Sequence, residues 1–231
     1  MPQELTSKGD GGKKRVFIVD DHALVREWLA ALINQQSDLK VCGEAASAAE
    51  ALTLLGSAKP HVAIVDVSMQ GGSGIELIKT IKAICPVLPE IAVIVLSMHD
   101  EILYCERALR AGARGYVMKR EATRNVLQAI RCVLKGEMYL SDKMAKIMAE
   151  KYVEGKSPAT VSPVELLSDR ELEVFQFLGR GLGTRQIAEE LHVAFKTVQS
   201  LNARIKQKLK LTNANELVRE AVRWHESQSL M

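Results

Sequence analysis

Five short apolar runs, each followed by a stretch of helical periodicity, limit what this chain can fold into more than any other feature. The runs are Arg15-Val-Phe-Ile-Val-Asp20, Lys40-Val-Cys-Gly-Glu44, His61-Val-Ala-Ile-Val-Asp66, Glu90-Ile-Ala-Val-Ile-Val-Leu96 and Gly115-Tyr-Val-Met118. Each is too brief for a helix and reads as a strand, the one ending on Asp66 as a buried parallel strand. After the first run, Leu24, Val25, Trp28, Leu29, Leu32 and Ile33 line one side of a helix, with Arg26, Glu27 and Asn34 opposite. Residues 48–55, 75–84, 104–111 and 123–135 continue the alternation. Strand and helix alternating five times over about 120 residues predict an α/β fold: a five-stranded parallel, doubly wound, flavodoxin-like sheet.

In such a sheet the C-terminal strand ends share one edge, where ligands bind. Four of the five runs close there on a group able to do chemistry: Asp20 with Asp21, Asp66, Ser97 and Lys119. Taken singly, Asp66 reads as the polar end of a strand, Lys119 as a solvated strand-end lysine and Ser97 as a helix cap for the segment at Asp100. Tyr116 reads equally as a core tyrosine. Together the groups make a site. Three carboxylates at one edge repel one another unless a cation joins them. Acid oxygens with no His or Cys nearby suit a hard ion, and Mg2+ is held by few carboxylates. A lysine and a hydroxyl beside them suit phosphoryl chemistry, for which aspartate is an established covalent acceptor. The roles expected are Asp66 as nucleophile, Asp21 and Asp66 as metal ligands, and Asp20 as holder of a metal-bound water. Ser97 and Lys119 would grip the phosphoryl oxygens.

With these residues in view, residues 15 to about 135 resemble the receiver domain of bacterial two-component response regulators. The marks are Asp20-Asp21, Asp66-x-x-Met69 with Gly74 closing the loop, Leu96-Ser-Met-His-Asp100 and Ala111-Gly-Ala-Arg-Gly-Tyr-Val-Met-Lys119. The resemblance implies that Asp66 takes phosphate from the phosphohistidine of a sensor histidine kinase, and that the Ser68 carbonyl completes the Mg2+ shell. It also implies that Ser97 and Tyr116 report phosphorylation to the face built by the fourth helix and fifth strand. Gln70 stands where the family usually has proline, a departure that bears on the rigidity of the loop.

Residues 1–14 are polar and Gly-rich, without the apolar core of a signal peptide, and read as a flexible tail. The receiver is assigned to 15–138. A linker with a short helix (144–152) is assigned to 139–164, its Gly155-Lys-Ser-Pro-Ala-Thr-Val-Ser-Pro163 rich in linker residues. Residues 165–227 read as wholly helical. Ser168-Asp-Arg-Glu171 has the form of a capping box, Gly181 and Gly183 break the helix it starts, and Thr184 can cap the next. The net charge of +3 does not by itself imply nucleic acid. The distribution is more telling, because no acid lies between Glu190 and Glu216 while Lys196, Arg204, Lys206, Lys208 and Lys210 do. That positive run reads as a phosphate-facing surface, or as an ordinary solvated helix. Val198, Leu201, Ile205 and Leu209 form one stripe of this helix, leaving Lys196, Gln199, Ser200, Ala203 and Gln207 opposite, as a recognition helix requires.

Leu167-Ser-Asp-Arg-Glu-Leu-Glu-Val174, Gly181-Leu-Gly-Thr-Arg-Gln-Ile-Ala188, Thr197-Val198, Lys208-Leu209 and Glu216-Leu-Val218 resemble the LuxR-type helix-turn-helix. With the receiver, the whole resembles a NarL/FixJ-type response regulator. The resemblance implies a four-helix domain binding double-stranded DNA as a homodimer once phosphorylated, with residues 213–224 as the dimerising helix. The expected DNA-facing residues are Thr184, Arg185, Lys196, Thr197, Gln199, Ser200, Ala203, Arg204 and Lys206. Ala194 replaces a common serine and cannot cap the recognition helix, a loss of about 1 kcal/mol. Leu201, where the family commonly has His, fits the buried stripe. Gln199 replaces a common lysine, removing a phosphate or guanine contact while still able to read adenine.

The expectation is therefore a cytoplasmic, phosphorylation-controlled transcriptional regulator and not an enzyme. One alternative is a receiver that acts through protein–protein interaction, with a helical domain that no longer binds DNA specifically. Another is an aspartate-nucleophile phosphatase, which would want an acid two residues beyond Asp66, where Ser68 stands. No apolar run approaches the roughly 18 residues of a membrane span, so no membrane partner is expected. Cys42, Cys85, Cys105 and Cys132 are too widely spaced for a zinc site and read as reduced thiols.

Overall fold

Four of the apolar runs become strands that bury both faces, while the run at 40–44 takes a sheet edge and is mostly half-buried. In the computed structural model, which describes residues 12–69, 72–84, 91–98, 101–153 and 163–229, five parallel strands form one sheet. They are β1 (Lys14–Val19), β2 (Leu39–Ala45), β3 (Val62–Asp66), β4 (Ala92–Ser97) and β5 (Gly115–Met118), in the order β2-β1-β3-β4-β5. This is the doubly wound order expected, and its reversal of direction lies between β1 and β3. Helices α1 (Ala23–Asn34), α2 (Ala48–Ala58), α3 (Gly74–Ile84), α4 (Glu101–Ala111) and α5 (Ala122–Leu134) connect and follow the strands. Val16, Ile18, Val62, Ile64, Ile94 and Leu96 pack with Leu29 and Ile33 of α1 and with Val126, Ala129, Ile130 and Val133 of α5. The alternate strand residues, Phe17, Val19, Ala63, Val65, Val93 and Val95, are equally buried and serve the other face.

The chain divides into residues 1–148 and 149–231, with the division inside α6 (Asp142–Val153). The first unit includes more than the sheet and its five helices. Tyr139, the first residue of the expected linker, pairs with Gly115 on the outer edge of β5. Free thiols are found at Cys42, Cys105 and Cys132; Cys85, Gln70 and Asp100 lie outside the described residues. Burial pushes the Cys105 thiol up to about 12, helped by Glu101 and Glu106, so it stays protonated.

The second unit contains α7 (Asp169–Gly179), α8 (Thr184–Glu190), α9 (Phe195–Leu209) and α10 (Ala214–Ser229). The capping box forms as its sequence predicts: Ser168 Oγ accepts from Glu171 N, and Glu171 Oε2 accepts from Ser168 N at 2.7 Å. Gly181, with φ at +85°, lets Leu182 N reach back to Phe177 O at 3.0 Å and closes α7. Thr184 does not cap α8, contrary to expectation. The cap is Gly183, whose N–H is satisfied by Gln186 Oε1 at 2.9 Å, and Thr184 is already the first helical residue. Ala194 does begin α9 without a side-chain cap. α10 runs past the expected Trp224 to Ser229, and Trp224 packs on Phe175 of α7 with ring centroids 5.6 Å apart.

Lys208 also departs from expectation. It is not part of an outward positive surface, because its Nζ donates to Glu171 Oε2 at 2.6 Å and to Leu166 O at 3.1 Å. Burial would raise the Glu171 carboxyl, but Lys208 and Ser168 more than reverse this and hold it below the usual range. A lowered pKa means stability that is present above the ordinary glutamate range and lost as pH falls through the folded value. Glu171→Gln should lower the stability of the second unit by about 1–3 kcal/mol, read as an earlier denaturation transition. Removing the exposed Arg223–Glu220 pair of α10 by Arg223→Ala should leave that transition almost in place.

Candidate phosphoacceptor pocket and nucleic-acid interface

Asp66 is the last residue of β3 and is almost wholly buried, as is Asp20 just beyond the end of β1. Lys119, the first residue after β5, extends its Nζ between them, 2.7 Å from Asp20 Oδ2 and 2.8 Å from Asp66 Oδ2. The contact to Asp20 is poorly directed for a hydrogen bond, so one lysine does not fully satisfy both acids. Ser97 is the last residue of β4 and fully buried, one position beyond Leu96, which pairs with Asp66. Tyr116 is buried on β5, paired with Val95. Ser68 N donates to Asp66 Oδ1 across a long 3.4 Å. The sheet edge thus gathers Asp20, Asp66, Ser97 and Lys119 as the strand ends predict.

The turn that carries Asp20 and Asp21 is held by two residues that the sequence did not mark for this role. Arg26, placed by periodicity on the outward side of α1, donates to Asp20 O at 2.6 Å. His22 N donates to Asp20 Oδ1 at 2.9 Å, and His22 Nδ1 lies 2.8 Å from Asp21 Oδ1. Ligand atoms of Asp20, Asp21, His22 and Asp66 all lie within 4.8 Å of one another. An acid pocket with no His nearby is therefore corrected: an imidazole stands at its mouth. Its adjacency to the Asp pair was the available signal.

Burial raises the Asp66 carboxyl to about 6; Lys119 opposes the rise and Asp20 adds to it. Burial would lower the Lys119 ammonium, but Asp66 and Asp20 more than reverse that and hold it above its usual range. These oxygens fit a hard divalent cation, which would supply the positive charge that a single lysine does not. The loop beyond Asp66 closes through a backbone hydrogen bond and a close backbone approach at Gly74. Gly74 N donates to Val67 O at 2.8 Å, and a Cβ at Gly74 would lie 1.9 Å from Asp66 O. No side chain fits there.

In the second unit, Lys196, Thr197, Gln199, Ser200, Ala203 and Arg204 are exposed on α9, while Val198, Leu201 and Ile205 are buried beneath them. Lys206 is half-buried. Arg185 of α8 is exposed; Thr184 is half-buried, and Asn202 Nδ2 donates to its hydroxyl at a long 3.5 Å. α9 therefore presents an acid-free polar face on a buried apolar stripe. The solvent-side placement of Gln199 and the burial of Leu201 agree with the periodicity of the sequence.

The raised Asp66 carboxyl has a stability consequence. Between the ordinary value and about 6 the folded state binds the proton more tightly, so rising pH through that window removes stability. With divalent ions chelated, Asp66→Asn should raise stability at pH 7, by at most about 3 kcal/mol. The gain should shrink toward pH 4, and thermal melts of both proteins with and without Mg2+ test it.

The response regulator receiver domain family matches residues 16–131, and the luxR family of bacterial regulatory proteins matches residues 165–221. The oxygen regulatory protein NreC of Staphylococcus haemolyticus (strain JCSC1435) is 37% identical over 212 residues, spanning 90% of this chain and 97% of that protein. NreC of Staphylococcus aureus (strain JH9) is 36% identical over the same length. Among solved structures, a LuxR-family two-component response regulator from Aurantimonas sp. SI85-9A1 shares 32% identity, with a TM-score of 0.56 over 62% of this chain and 99% of that one. The response regulator RcsB in complex with DNA shares 26% identity, with a TM-score of 0.53 over 90% and 97%. The chain belongs to the two-component response regulators that join a receiver domain to a luxR-family DNA-binding domain.

Proposed function

We propose that Asp66 accepts a phosphoryl group from the phosphohistidine of a sensor histidine kinase and that its charge state controls DNA binding by the second unit. The observation that carries this reading is the buried Asp66 carboxylate held 2.8 Å from Lys119, with Asp20, Asp21 and His22 beside it. In the transfer, an Asp66 oxygen forms a bond to phosphorus, the phosphorus–nitrogen bond breaks, and its electron pair stays with the imidazole. Asp21, Asp66 and the Ser68 carbonyl would hold Mg2+, with Asp20 orienting a bound water. Bound there, the ion neutralises charge developing on the phosphoryl oxygens. Lys119 and the Ser97 hydroxyl meet those oxygens once they rest on Asp66, and Tyr116 with Ser97 relays the change to α4 and β5. We assign the receiver to residues 15–138, the linker to 139–164 and the DNA-binding domain to 165–227.

On α9 and α8, Lys196, Thr197, Arg204, Lys206, Thr184 and Arg185 serve the phosphates, and Gln199, Ser200 and Ala203 face the bases. The protein acts as a homodimer once phosphorylated, in the cytoplasm; among the described residues no helix is long and apolar enough to cross a membrane. The alternative of a receiver acting through proteins alone is less favoured, because α9 keeps its exposed basic and polar face despite Ala194 and Gln199. Turnover as a phosphatase is disfavoured by Ser68, which offers no acid at the second position after Asp66.

Incubation with Mg2+ and a small phosphodonor should add one phosphoryl group by intact mass, and none to Asp66→Asn. Equal labelling of the two would overturn the acceptor assignment. On a promoter fragment, Lys196→Ala should weaken binding to all sequences alike and reduce the salt slope by about one. Gln199→Ala should relax preference at one base position by about 1–3 kcal/mol, and footprinting of the phosphorylated protein reads both.

A further inference from the structure

The outer edge of β5 is covered by the chain's own continuation. Tyr139 N donates to Arg114 O at 2.9 Å, and Tyr116 N donates to Tyr139 O at 3.0 Å. These two bonds pair residue 139 in parallel with Gly115, as a strand would pair. The fit is close, since a Cβ at Gly115 would stand 3.3 Å from the Tyr139 Cβ. Two residues on, Ser141 Oγ donates to Glu101 Oε2 of α4 at 2.7 Å and accepts from Met144 N at 3.1 Å. Ser141 is thus both the N-cap of α6 and its tie to α4. Met144, in the first turn of α6, is buried to 1% exposure, so the start of that helix belongs to the first unit.

This strap touches two of the chain segments that run to or from the acidic pocket. β4 ends on Ser97, and α4 begins four residues later at Glu101. β5 carries Tyr116 and then, three residues on, Lys119. The segments that carry Ser97 and Lys119 therefore meet at residues 139–144. One meeting runs through the Tyr116 amide, the other through the Glu101 carboxylate. A hydroxyl that caps one helix while bonding the side chain of another can keep or release that bond without altering the sheet.

We propose that Ser141 is a positioning residue for the response: its bond to Glu101 fixes the start of α6, and the phosphorylated state of the pocket changes that bond. The proposal rests on the assignment of Asp66 as phosphoacceptor. The state of the receiver then reaches the polypeptide that leads to the DNA-binding domain through one side chain-to-side chain hydrogen bond and one strand-like pairing. Neither lies on the α9 surface or in the pocket itself.

The test uses the full-length protein with Mg2+ and a small phosphodonor, following phosphorylation by intact mass, amide exchange over residues 139–146, and the ratio of DNA affinities with and without phosphate. Ser141→Asp keeps an N-cap oxygen but cannot donate to Glu101, Glu101→Ala removes the acceptor and leaves the cap, and Ser141→Thr retains both functions. Wild type and Ser141→Thr should change exchange over 139–146 on phosphorylation. In Ser141→Asp and Glu101→Ala that segment should exchange faster at rest and respond little. Their affinity ratio should fall by about threefold to tenfold, as loss of one hydrogen bond implies, with labelling of Asp66 unchanged. The double variant should be no worse than either single one. Unaltered exchange over 139–146 in a protein shown by mass to be phosphorylated, or an affinity ratio preserved in both variants, would overturn the proposal. Failure of Asp66 to label at all would instead remove the assignment beneath it.

Discussion

A single ammonium group divided between two buried carboxylates governs the receiver. Lys119 reaches Asp20 at 2.7 Å and Asp66 at 2.8 Å, where β1, β3 and β5 all end. Two acids and one base leave an excess of negative charge in a place that water hardly reaches, and burial keeps the Asp66 carboxyl near 6. The acids lie at the end of the hydrophobic core, with Asp66 closing β3. The order of the sheet brings the ends of β1 and β3 side by side, so the charge imbalance follows directly from topology. A divalent ion or a phosphoryl group bound at this edge would alter that imbalance.

The second unit depends on a different use of charge. Glu171 completes the cap of α7 and holds Lys208 of α9, so a helix start and a helix end are joined by one carboxylate. This pairing offsets what α9 lacks at its own start, where Ala194 supplies no side-chain cap. The exposed residues of α9 are thus presented by a helix secured at its far end and by its buried stripe. Arg170 adds a second tie across the unit, donating to Glu173 at 2.7 Å and to Leu191 O at 3.1 Å.

Much of this was legible in the chain itself, for definite reasons. A run such as residues 62–65 has few options once it is wholly apolar and too short for a helix. The capping box at Ser168 and Glu171 is local, so its spacing suffices to predict it. What escaped was non-local or rotameric. Periodicity set Arg26 on an outward face, yet a long side chain can bend back to Asp20 O. Lys208 looked like its basic neighbours until the buried Glu171, 37 residues away, claimed it. The imidazole of His22 could have pointed anywhere, and only the fold turns it toward Asp21. Gly183 took the cap from Thr184 because Gln186, three residues on, reaches back to the Gly183 N–H. Tyr139 has no strand-like neighbours in sequence, and its place on β5 arises because the sheet leaves that edge open.

The Glu171–Lys208 tie carries a consequence for how the second unit comes apart. Fraying usually begins at helix termini, where few bonds hold the backbone. Here the C-terminal turn of α9 is fastened to the N-terminal turn of α7, while Trp224 of α10 rests on Phe175 in the middle of α7. Peeling α9 away leaves a buried carboxylate without its counter-charge, and this penalty falls on α7 as well. Release of the C-terminal turn of α9 is therefore coupled to the start of α7. Loosening the Lys208 end of α9 thus weakens the start of α7 as well, so the two helices share one electrostatic fastening.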